Sequence, residues 1–101
     1  MTRPARTVRE VLVAARWILE NVGWTKGVYA RNSRGQSTLA QDAGAQCFCG
    51  MGATYAVLKQ NMDLGIQARA LLGDMVAFND APSTTLPMVL ARFDEAIARA
   101  K

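Results

Sequence analysis

Val8, Val11, Leu12, Ala15, Ile18, Leu19 and Val22 recur at steps of three and four, the spacing that gathers apolar side chains onto one face of an α-helix and buries them as a stripe. Thr7 and Glu10 form a capping box at its start, the hydroxyl accepting the Glu10 amide and the carboxylate reaching back to the Thr7 amide. Gly23 follows the last apolar position and supplies the stop expected of a left-handed C-cap. The pattern predicts a helix over residues 7–22. Arg6 with Glu10, and Arg16 with Glu20, stand four residues apart on its polar side.

Helical periodicity stops between Trp24 and Phe48. There Gly27-Val28-Tyr29-Ala30-Arg31 reads as a short strand turned by Asn32-Ser33-Arg34-Gly35, followed by a polar loop and a return strand near Gln46-Cys47-Phe48. A second helix is expected from Gly50 or Met51 to about Gln60, with Met51, Tyr55 and Leu58 on one side. A third, capped by Asp63, carries Leu64, Ala68, Leu71, Leu72 and Met75 and is weakened near its end by Gly73. Phe78-Asn79-Asp80-Ala81-Pro82 is a dense turn signal. After it, Leu86, Val89, Leu90, Phe93 and Ile97 form the stripe of a last helix that takes Pro87 in its first turn, where a missing N–H costs no helical bond.

These segments predict a mainly α, single small domain spanning residues 1–101, with about four helices and an irregular or β-hairpin-like insert between helices 1 and 2. Residues 1–6 and 34–46 are expected to be flexible. The 101 residues, half of them apolar and a fifth charged, can build one core without disulfides or metals. No apolar run approaches the ~18 residues of a membrane span, and no signal-peptide core follows the basic N-terminus. A cytoplasmic protein is expected.

Charge and chemistry narrow the picture further. The net +4 is uneven, since residues 1–34 hold seven basic against two acidic side chains. Arg3, Arg6, Arg9, Arg16, Lys26, Arg31 and Arg34 are thus candidate contacts to nucleic acid, although a modest excess with no Lys/Arg run is more often solvated surface. The chain has no histidine, which removes the imidazole base, the imidazole metal ligand and the usual near-neutral switch. Cys47 and Cys49 are too close for an unstrained bridge and read as reduced thiols. With two thiols and no imidazole, no metal site and no cofactor is expected. Cys49 stands where a helix N-terminus would lower its pKa, yet nothing in the chain could activate it as a Ser–His or Cys–His pair is activated. Gly50-Met51-Gly52 lacks the rest of any phosphate-binding pattern and suits close packing. Asn79 and Asp80 could present an amide and a carboxylate to a ligand, against a plain role in satisfying turn backbone. Trp17 lies beside Val13, turned away from the buried stripe, where it could anchor a protein partner or a second copy. Trp24 is expected to fold back as core.

Gly23-Trp24 after the opening helix, Cys49 followed by Gly52-Ala53 at the start of the next, and Phe78-Asn79-Asp80 before the last form an ordered set. It resembles a family of small bacterial and phage-associated proteins of unknown function whose members carry Gly-Trp, a Cys-x-x-Gly-Ala step and Trp-Asn-Asp. Phe78 here replaces the tryptophan, and the stretch from Gly23 to Cys49 is longer than the pattern implies. The resemblance carries no activity over; it marks Trp24, Cys49, Gly52, Asn79 and Asp80 as matched positions.

Three readings follow. The first is a non-enzymatic interaction module that meets a protein or a second copy of itself through the face around Val13 and Trp17. The second is a nucleic-acid-binding protein using the basic N-terminal half. The third is a small enzyme or ligand binder, which requires Cys49, Asn79 and Asp80 to converge in one pocket.

Overall fold

The capped opening helix forms as its sequence predicts. In a computed structural model that describes residues 5–58 and 61–100, α1 (Val8–Asn21) buries Val8, Val11, Leu12, Ala15 and Leu19, and both halves of the Thr7–Glu10 capping box are present. Its end differs from expectation. Val22 is the C-cap in a right-handed conformation, and Gly23 is not among the three glycines with positive φ. Gly23 is needed for space instead: a Cβ there would stand 2.7 Å from the Gln46 carbonyl oxygen and 2.9 Å from Cys47 Cβ.

The insert is a three-stranded antiparallel sheet of order β2-β1-β3, formed by β1 (Ala30–Asn32), β2 (Ser37–Thr38) and β3 (Ala45–Phe48). Ala30 pairs with both Thr38 and Phe48, and the register with β3 shifts between Arg31 and Asn32. Residues 23–25 run parallel along the other side of β3, where Phe48 donates to the Gly23 carbonyl and Thr25 donates to that of Phe48, each at 3.0 Å. The stretch read as a loop from 34 to 46 therefore contributes β2 and the start of β3. Between them Asp42 folds a tight turn, accepting from the Gly44 amide and the Thr38 hydroxyl at 2.8 Å each.

Four helices follow: α2 (Gly50–Leu58), α3 (Met62–Leu72), α4 (Met75–Asp80) and α5 (Leu86–Arg99). Five helices stand among the described residues where about four were expected, because Gly73 does more than weaken a turn. It adopts φ +70° and ends α3, and the chain restarts at Met75 as a separate short helix. The turn signal at 78–82 accordingly begins inside the last turn of α4. The cap of α3 is Asn61, whose side chain accepts from Leu64 N, rather than Asp63, which lies in the first turn. The expected end of helix 2 near Gln60 falls outside the described residues. α1 packs against α2, α3 and α5, so its stripe is the centre of the core, completed by Phe93, Leu72, Met75 and Val89. Arg16 ties α1 to α5 through Asp94 (2.7 Å) and also pairs with Glu20 (3.3 Å). None of the described helices is long and apolar enough to cross a membrane.

Candidate functional site

Asn79, at the end of α4, is wholly buried and uses all four of its side-chain hydrogen-bonding positions on other parts of the chain or its neighbour. Its oxygen accepts from the Trp24 indole N–H at 2.7 Å and from the Gly50 amide at 3.0 Å. Its nitrogen donates to the Thr25 carbonyl at 3.1 Å and to Asp80 Oδ1 at 3.0 Å. The same Asp80 oxygen accepts the Gly27 amide at 3.0 Å. One amide thus joins the segment after α1, the start of α2 and the end of α4. It also satisfies an N–H of the first turn of α2, which has no partner inside that helix. The turn reading of Asn79 is corrected in this respect, since three of its four bonds reach 29 to 55 residues along the chain.

The other matched positions assemble around this amide. Cys49, 2% exposed, directly precedes α2, and its sulfur accepts the Gly52 amide at 3.3 Å. Gly52 lies where a Cβ would be driven into the Tyr29 carbonyl oxygen, so only glycine lets α2 approach the segment leading into β1 this closely. Trp24 is half-buried against the core, as expected, with the Lys26 ammonium 5.5 Å from its ring. Lys26 itself donates to the Ala81 carbonyl at 2.7 Å. Phe78 packs under the Arg92 guanidinium, 3.8 Å from its ring centre.

Alongside the junction opens a pocket of about 800 Å³, with Cys49 and Asp80 among its walls. Tyr29 and Tyr55, edge to face at 5.4 Å, line it together with Val76 of α4 and Leu39 of the turn after β2. Sequence reasoning missed these four. The available signal was the strand-like Tyr29 and the helical position of Tyr55, but neither shows that the two rings meet. Burial raises the pKa of the Cys49 thiol, and the Asp80 carboxylate adds to the rise; the protonated thiol is a weak nucleophile. Among the described residues no three Cys, Asp or Glu side chains group to hold a metal ion.

The remaining candidates lie elsewhere. Val13 and Trp17 are 49% and 59% exposed on the outer face of α1, uncovered by their own chain. Of the basic set, Arg3 lies outside the described residues. Arg16 is held by Asp94, Arg31 by Thr25 Oγ1 and the Lys26 and Gly35 carbonyls, and Arg9 reaches the Ile97 carbonyl at 3.5 Å. Arg6 and Arg34 stand exposed.

No curated protein and no solved structure matches this chain. The profile of a family of unknown function, DUF6197, matches residues 3–99. The chain belongs to that family.

Proposed function

We propose that the domain is a non-enzymatic binding module of bacterial or phage origin, acting in the cytoplasm of a bacterial cell, whose recognition site is the pocket beside Asn79. The observation that carries this reading is the convergence of Trp24, Cys49, Gly52, Asn79 and Asp80, drawn from three separate junctions, on one hydrogen-bonded frame that contributes Cys49 and Asp80 to the wall of a pocket. A frame whose buried polar groups are already satisfied keeps its shape without a ligand, which is what binding with little reorganisation requires. Binding is favoured over catalysis because Cys49 is held as a thiol and Asp80 Oδ1 is occupied by two donors. A mixed screen of small aromatic and aliphatic fragments, followed by amide NMR, tests it. Ligands should shift the amides of Leu39, Cys49 and Tyr55, and Val76→Arg should abolish those shifts while leaving the fold intact. A screen in which no fragment perturbs these amides overturns the reading.

The exposure of Trp17 and Val13 favours a second reading, in which the outer face of α1 meets a protein or another copy of this chain. It expects an associated solution mass that Trp17→Ala reduces. A monomer whose pull-down partners are unchanged by that substitution ends it.

A further inference from the structure

The charge of the pocket says what class of ligand it takes. The chain is basic overall, yet Asp80 is the only Asp, Glu, Lys or Arg among the described residues that line the pocket. Lys26 and Arg31, on the neighbouring segments, are turned onto main-chain carbonyls, Lys26 onto that of Ala81 and Arg31 onto those of Lys26 and Gly35. Asp80 Oδ1 is fixed by the Gly27 amide and Asn79 Nδ2. Among the described residues Oδ2 receives no hydrogen bond, so the carboxylate is oriented by one oxygen while the other stays available. Two tyrosine rings share the same pocket, and an aromatic ring attracts a cation placed over its face.

We infer that the pocket binds an organic cation, a protonated amine or guanidinium on an apolar stem, with Asp80 Oδ2 accepting from the cation and Tyr29, Tyr55, Leu39 and Val76 enclosing the stem. The inference rests on the pocket being the binding site. Such a group can come from a free small amine or from a lysine or arginine side chain of a peptide, and both present the same chemistry to the carboxylate.

The test is a set of matched titrations followed by amide NMR and calorimetry on the full chain. Phenethylamine supplies the free amine, and acetyl-arginine amide and acetyl-lysine-amide supply the side chains. 3-Phenylpropanol and 3-phenylpropionate are the neutral and anionic counterparts. The cations should shift the Asp80, Gly27 and Tyr55 amides and bind at least about tenfold more tightly than the neutral counterpart. Asp80→Asn, whose amide oxygen can still accept from Gly27 and Asn79, should erase that preference with the spectrum of the free protein otherwise kept. Tyr29→Leu should weaken the cations more than the alcohol. Tighter binding of phenethylamine than of the amino-acid amides indicates a free amine as the source, and the reverse indicates a peptide side chain. If the alcohol or the carboxylate binds as well as the amine, or if Asp80→Asn leaves the ranking unchanged, the cation inference is wrong although the pocket binds. If none of the five probes shifts a pocket amide while the mixed fragment screen does, the cation inference is likewise wrong; if neither does, the pocket reading falls with it.

Discussion

Leu12 in α1 and Asn79 in α4 are both fully buried, yet different forces keep them there. Leu12 belongs to a stripe whose attraction is proportional to the apolar area removed from water and has no direction, so its neighbours can be exchanged for others of similar volume. Asn79 is held by four directional bonds, each to a particular atom. The stripe supplies cohesion; the amide fixes which segments lie side by side. A pocket wall needs the second property more than the first, and the junction held by the amide lends Cys49 and Asp80 to that wall.

Gly52→Ala should break the junction most completely. The new methyl meets the Tyr29 backbone, which cannot swing aside as a flexible side chain can, and a loss of about 4 kcal/mol or more is expected in urea denaturation. A loss below about 1 kcal/mol would mean that α2 slides away from the start of β1 freely, and that the junction is looser than the α1 packing. Asn79→Ala comes next. It leaves the Gly50 amide, the Trp24 indole and the Thr25 carbonyl without their partner, at a cost of about 3–4 kcal/mol, against about 3 kcal/mol for Leu12→Ala. The totals are similar, so the comparison is read from where the damage falls. Amide exchange in Asn79→Ala should quicken first at Gly27, Gly50 and Thr25, whereas Leu12→Ala should quicken it across α1, α2 and α5 together. Trp24→Phe removes one of the two donors to the Asn79 oxygen and should cost about 1–2 kcal/mol.

The same contrast explains what could be read from the sequence. The α1 stripe, its capping box and the α5 stripe were legible because their causes are local: a period near 3.6 and a cap three residues away. The hairpin-like insert was legible from turn residues, though its first strand is shorter and starts later than the 27–31 reading suggested, and β3 begins one residue before the 46–48 reading. The split at Gly73 was visible only as a glycine, because the restart of α4 depends on Met75 and Asn79 being buried by distant elements. Asn79 read as an ordinary turn residue, since nothing near it in sequence announces bonds to Trp24, Thr25 and Gly50. The motif resemblance did mark the residues of the junction, but order along a chain cannot show that they share one amide. Tyr29, Tyr55, Leu39 and Val76 come from four elements or turns, and their meeting is a property of the tertiary fold alone.

Asp42 offers the mildest way to sharpen the contrast, because its directional bonds are local and exposed. The Gly44 amide, and then the Thr38 hydroxyl, hold its carboxyl below the ordinary value of 3.8. The fold therefore favours the charged form. The contribution of this turn is fully present above that ordinary value and is lost as pH falls through the lowered, folded one. Since the group is exposed, the effect should be confined to the turn that carries Leu39 into the pocket wall, without a measurable change in global unfolding. A pH titration followed at the Gly44 amide should show a transition below 3.8 that Asp42→Asn removes, while the Gly50 amide, bonded to buried Asn79, stays level through the same range. Parallel movement of the two amides would mean that the exposed turn and the buried junction open together, and that the pocket wall is one cooperative unit in place of two.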